Sequence, residues 1–113
     1  MLAKKHRISK KKEVETVFKG GRSSFDGVLG VKLLPAVQPY SRFVIVVSTK
    51  VSKKAVERNE VKRRLSEACR LLVPDFKKDS DCFVLALPGS VQKTYRELEQ
   101  SLRGHFKKLG VLK

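Results

Sequence analysis

The run "RFVIVVSTKVSKKAVERNEVKRRLSEACRLL", residues 42–72, sets a β-branched apolar segment directly before a strongly basic one. Residues 42–48 are too continuously apolar for a strand with one wet face, which predicts an interior strand. From residue 53 the period changes. At 100° per residue Val61, Leu65, Ala68 and Leu72 fall within about 60° of arc, the stripe that an amphipathic helix over 53–72 must turn to a sheet. Asn59, Arg63, Ser66 and Arg70 repeat the same spacing on the opposite side. Arg58, Lys62 and Arg64 stand at the flanks, with stems long enough to lie over apolar neighbours while their heads reach outward. "CFVLAL", residues 82–87, is a second continuous apolar run and reads as another interior strand.

Outward from this strand–helix–strand unit the chain continues to alternate. Ser9 followed by "KKKEVETVFKGG" reads as a short helix capped by Ser9, with Val14, Val17 and Phe18 on one face and a stop at Gly20 or Gly21. "RSSFDGVLGVKLL" gives two extended pieces around Asp26-Gly27, a pair that tolerates the positive φ of a tight hairpin turn. Pro35, Gln38, Pro39 and Ser41 mark a loop, and Pro88-Gly89 ends the second apolar run. In "SVQKTYRELEQSLRGHFKKLG" the residues Val91, Tyr95, Leu98, Leu102, Phe106 and Leu109 form one helical stripe, with Ser90 as cap and Gly110 as closure. The predicted order is helix, strand, strand, strand, helix, strand, helix. That is an α+β chain, a single two-layer α/β sandwich with three helices on a small mixed four-stranded sheet. Its 113 residues suit one domain over 1–113, with residues 1–8 a flexible basic N-terminus.

Charge narrows the function. Lys and Arg number 26 against 11 Asp and Glu, a formal net charge of +15, which repels itself in a compact chain and favours a polyanionic partner. No apolar run approaches the roughly 18–20 residues of a membrane span, and "MLAKKHRISK" lacks the apolar core of a signal peptide, so a cytoplasmic protein without a membrane partner is expected. Cys69, Cys82, His6 and His105 are too scattered for a zinc site, and packed reduced thiols are the simpler reading. Seven Lys and Arg between residues 50 and 64 meet only Glu57 and Glu60 there, so pairing along the helix leaves most of the charge uncompensated. Guanidinium forks suit phosphate, and Asn59 both donates and accepts, which suits a sugar hydroxyl or a base edge. A DNA-reading helix would need helical neighbours in place of strands, so no DNA partner is expected.

"AVERNEVKRR", residues 55–64, resembles the signature of the protein subunit of bacterial ribonuclease P, a helix with Arg-Asn-Arg, one residue, then Lys-Arg. "VFKGGRSS", "VIVVSTKVSKKAVERN" and "DCFVLAL" are similar to the family's first helix and turn, its third strand entering the central helix, and the strand after it. The resemblance covers nearly the whole chain in the family's order. Arg58, Asn59, Lys62 and Arg63 match; Glu60 and Ser66 stand where the family usually has arginine, and Val14 and Lys32 near positions where it favours aromatics.

The resemblance implies a left-handed β–α–β crossover, which the general preference for right-handed crossovers would not predict. It implies a catalytic RNA subunit as partner, holding the magnesium that activates water to remove the 5′ leader of precursor tRNA. The protein itself would carry no catalytic residue and no cofactor or metal, in keeping with acids scattered among lysines. Lys50, Lys53, Lys54, Arg58, Asn59, Lys62, Arg63 and Arg70 would dock on the catalytic RNA. Lys11, Lys12, Phe18, Lys19, Arg22 and Lys32 would hold the single-stranded leader of the precursor, with Phe18 as a stacking surface. A general RNA-binding or ribosomal-type scaffold protein is the alternative.

Overall fold

The computed structural model describes residues 2–113. Three helices, α1 (Lys11–Gly20), α2 (Ala55–Leu72) and α3 (Tyr95–Lys108), accompany four strands, β1 (Arg22–Phe25), β2 (Leu29–Pro35), β3 (Arg42–Val46) and β4 (Ser80–Ala86), in the predicted order. The strands form one mixed sheet in the order β1-β2-β4-β3. β1 and β2 form an antiparallel hairpin, β2 and β4 are antiparallel, and β3 and β4 are parallel neighbours joined through α2.

The sheet's two faces are covered differently. On one, Leu29, Val31, Leu33, Phe43, Ile45, Cys82, Val84 and Ala86 pack against α2 and α3 to make the main core. The predicted α2 stripe is buried there, with Leu65, Ala68 and Leu72 fully enclosed, and each buried Leu contributes about 1.5–3 kcal/mol. Phe106 sits 5.0 Å from Phe76 and 6.3 Å from Phe43, ring centre to ring centre, in an aromatic knot under α3. On the other face α1 lies over β2 and β4 and buries Val17 against Ile8 and Phe83. An ionic knot fixes it there. Arg42 on β3 is buried and donates from Nε and Nη2 to Asp81 on β4 at 3.1 and 2.9 Å, and from Nη2 to Glu13 on α1 at 3.0 Å. Asp81 holds the Arg42 guanidinium well above its ordinary pKa, with Glu13 adding to the effect.

Several expectations are corrected. β4 is central, but β3 is an edge strand. Its continuous apolar run comes from cover on both faces, Phe43 and Ile45 beneath the main core and Val44 and Val46 beside α1. Chain from the N-terminus also lines this edge: Arg7 bridges Phe43, and the Ile8 N–H donates to the Phe43 carbonyl at 2.9 Å. Within the segment expected as a flexible arm, Leu2 and Ile8 are buried while Ala3, Lys4, Lys5 and Arg7 are exposed; Met1 lies outside the described residues. The cap of α1 is Lys10, without a side-chain bond, and Ser9 is not used.

α3 begins later than its apolar stripe suggests. Thr94 and Glu97 form a reciprocal capping box, so the helix starts at Tyr95, while Ser90 turns back to donate to the Leu87 carbonyl. The Asp26-Gly27 turn forms without positive φ, because the Asp26 carboxylate accepts the N–H groups of Val28 and Leu29 at 2.7 and 2.8 Å. Gly110 does adopt the left-handed conformation, at φ +79°, and ends α3 as expected.

Candidate nucleic-acid interface

α2 is positioned by its buried stripe, so its outer row is fixed by default. Asn59, Lys62, Arg63 and Arg70 are exposed, and Arg58 is half-buried. At the start of the helix Ser52 organises the preceding loop: its hydroxyl donates to Glu57 and accepts the Lys54 N–H at 3.1 Å, and its carbonyl accepts from Arg58 Nη1 at 2.9 Å. Lys50, Lys53 and Lys54 are exposed beside this N-terminus. Cations there oppose the helix dipole and destabilise the helix. The same arrangement adds their charge to the dipole's positive end, which is suited to a phosphate chain.

Acidic neighbours claim part of the row. Glu60 accepts from Arg63 Nε at 3.1 Å and from Arg64 Nε at 3.2 Å, and Glu67 pairs with Arg70. Arg63 pulls the Glu60 carboxyl below its usual range, and Arg70 brings that of Glu67 down to about 2. Helix-local pairing is therefore realised at Arg63 and Arg70, more fully than the charge count implied. Both pairs are exposed, and exposed pairs on one helix are weak, so a phosphate can replace either glutamate. Lys50, Lys53, Lys54 and Lys62 have no acidic partner among the described residues.

Ser66 is a further correction: it is 6 % exposed, not part of the outer row. It lines a cleft with Leu2, Ile8, Phe43, Arg7 and Lys62, because the N-terminal chain covers that flank of α2.

The second predicted cluster lies on the sheet face that carries α1. Lys11, Lys12 and Lys19 are exposed on α1. Lys32 reaches across from β2, placing Nζ 2.9 Å from the Phe18 carbonyl and 4.0 Å from its ring centre. The Phe18 ring also meets Phe83, 5.2 Å away, edge to face. Phe18 and Lys32 are thus brought together, and the α1 lysines are exposed on the helix that carries Phe18. Arg22 does not join them: its register partner is Leu33, which belongs to the opposite face. Phe25, 49 % exposed, shares the Lys32 face, since its partner is Gly30. In the sequence Phe25 stands directly before the Asp26-Gly27 turn signal, and only period-2 alternation against Ser24 marks its side.

Among the described residues no three His, Cys, Asp or Glu side chains converge as metal ligands. Cys69 and Cys82 are fully buried, with burial pushing both thiols up. Among the described residues no helix is long and apolar enough to cross a membrane.

A basic helix that joins two adjacent parallel strands packs on one face of the sheet, and a second basic face lies on the far side. A family model described as Ribonuclease P matches residues 2–110. The chain belongs to this ribonuclease P family. It is 35 % identical over 111 residues to the ribonuclease P protein component of Bacillus cereus (strain 03BB102), covering 97 % of this chain and 96 % of the relative. It is 38 % identical over 102 residues to that of Picosynechococcus sp., covering 90 % and 88 %. The Staphylococcus aureus RNase P protein superposes with a TM-score of 0.84 at 25 % identity, covering 96 % of this chain and 98 % of that one. The family is one of protein components of ribonuclease P, and the α+β fold of this chain is the one its solved relatives share.

Proposed function

We propose that the chain is the protein subunit of ribonuclease P, a cytoplasmic protein that assists a catalytic RNA in the endonucleolytic removal of the 5′ leader from precursor tRNA. The observation that carries this reading is the outer row of α2, Asn59, Lys62 and Arg63, held rigidly outward by Val61, Leu65, Ala68 and Leu72 in a chain of this family. This row, with Lys50, Lys53, Lys54, Arg58 and Arg70, docks on the catalytic RNA by neutralising phosphates and releasing their counterions.

The face beneath α1 takes the leader. Lys11, Lys12, Lys19 and Lys32 follow its backbone, and Phe18 meets its bases. Arg22 has no place in this set, as it projects to the other face. Because Lys32 lies over the Phe18 ring, a base stacks there only by displacing the ammonium or by using what remains of the ring. Hydrolysis belongs to the RNA and to magnesium held mainly by it; this chain's residues bind and orient. Two contacts on one rigid body make leader capture intramolecular once the catalytic RNA is bound, which raises the effective concentration of the precursor.

Reconstitution tests the reading. At low magnesium, precursor tRNA is expected to lose its leader only when the purified chain and the catalytic RNA of a bacterial ribonuclease P are both present. Equal cleavage by the RNA with or without the chain would contradict it and favour a scaffold protein with no processing role.

A further inference from the structure

The aromatic side chain on the leader face best built for stacking is outside the set above. Phe25 ends β1 and pairs in register with Gly30 on β2. A Cβ placed on Gly30 would lie 2.2 Å from Cε2, 2.5 Å from Cδ2 and 2.9 Å from Cζ of the Phe25 ring. Three ring atoms crowding one point above the strand mean that the ring lies flat over the glycine, in space that any side chain at 30 would fill. One ring face is pressed to the sheet and the other looks outward. Phe18 is different: Lys32 covers it at 4.0 Å and Phe83 abuts it.

The platform is also held still. The neighbouring Ser24 is buried on the opposite face, its Oγ 2.7 Å from Nδ1 of His105 on α3. The Asp26 carboxylate caps the turn just beyond. Gly30 and Lys32 are two residues apart on one strand, roughly 7 Å along the sheet and on the same face. Lys32 therefore rises on the same face as the Phe25 platform, and its ammonium lies 4.0 Å from the centre of the Phe18 ring. Two exposed rings and a cation on one face match a single strand of nucleic acid, whose bases stack on π faces of any sequence while its phosphates seek positive charge. An apolar protein partner would gain nothing from the ammonium on that face.

We infer that Phe25, seated on Gly30, is a base-stacking platform for a nucleotide of the single-stranded 5′ leader. The inference rests on the leader-binding reading of this face. It makes Phe25 a determinant of precursor recognition in this chain and gives Gly30 a reason to lack a side chain.

The test compares binding of precursor and mature tRNA to the complex of the chain with its catalytic RNA. Phe25→Leu keeps apolar cover on Gly30 and removes the π face. It is expected to weaken precursor binding roughly tenfold, within the range for one stacked base, and to leave mature tRNA unchanged. Phe25→Trp retains precursor binding. Gly30→Ala displaces the ring without removing it and is expected to reproduce the loss. Unchanged precursor affinity in both Phe25→Leu and Gly30→Ala, with melting temperature preserved, would overturn the proposal and leave Phe25 as cover for a strand glycine. A companion variant, Lys11→Ala with Lys12→Ala, separates the layers. If it too spares precursor binding, the leader reading itself fails; if it alone weakens precursor binding, only the Phe25 platform is lost.

Discussion

Arg42→Met is expected to lower the unfolding free energy by about 3–5 kcal/mol, the usual cost of removing one partner from a buried ion pair. Arg42 is 8 % exposed and Asp81 5 % exposed, so the substitution strands the Asp81 carboxylate in the middle of the sheet and frees Glu13 on α1. In a domain of this size the loss corresponds to a fall in melting temperature of roughly 10–20 °C. The double variant Arg42→Met with Asp81→Asn is expected to regain more than half of it, because no buried charge is then left unpaired. Thermal melts of the three proteins check both statements. A single variant as stable as the parent would mean that Arg42 does not hold α1 to the sheet.

The largest functional effect is expected on α2. Replacing Arg58 and Arg63 together with Ala removes two phosphate contacts, and the logarithmic salt slope for binding the catalytic RNA should shrink by about 1.5–2. Between about 50 and about 200 mM salt, the variant then loses roughly tenfold less affinity than the parent. At low salt it binds more weakly. Its melting temperature falls only slightly: Arg63 is exposed, where substitutions seldom matter to the fold, and half-buried Arg58 gives up one hydrogen bond to the Ser52 carbonyl. Glu60→Gln works in the opposite direction: it frees Arg63 and Arg64 from their shared acid and should tighten binding while steepening the slope by about one. Filter-binding titrations over a salt series read all three. A slope that does not move in the Arg58, Arg63 variant would detach α2 from the RNA.

What the residues disclosed in advance was set by period. The α2 stripe and the α3 stripe were legible because 3.6-residue spacing is intrinsic to the helix and each run was long. The two continuous apolar strands were legible as strands, but their places were not. Continuous apolarity reports cover on both faces, and at β3 that cover comes from α1 and Ile8, so an edge strand carries the pattern of an interior one.

Helix starts went astray where two cap signals competed. Thr94 with Glu97 satisfies two amides reciprocally, and Ser90 had no such partner. At the candidate site, the outward direction of Asn59, Lys62 and Arg63 followed from the stripe beneath them. Ser66 did not, because its burial depends on Leu2 and Ile8, far away in sequence. The faces of Arg22 and Phe25 were not legible for one reason: the face on which a hairpin residue stands is fixed by register, and a shift of one residue exchanges the faces. The pairing of Arg22 with Leu33 and of Phe25 with Gly30 was outside the reach of composition or charge.

The central claim is a division of labour, with the outer row of α2 against the catalytic RNA and the far face of the sheet against the leader. Cys69 and Cys82 are both fully buried, so a cysteine introduced at the surface can be labelled selectively with a tethered iron chelate that cleaves nearby RNA. Val56 is 80 % exposed on α2, and Ser23 is exposed opposite Lys32 on the leader face; neither belongs to the binding sets. In the assembled complex with precursor tRNA, the reagent at Val56→Cys is expected to cut the catalytic RNA, and the reagent at Ser23→Cys to cut the 5′ leader. Cuts in the leader from position 56, or none in it from position 23, would contradict the account.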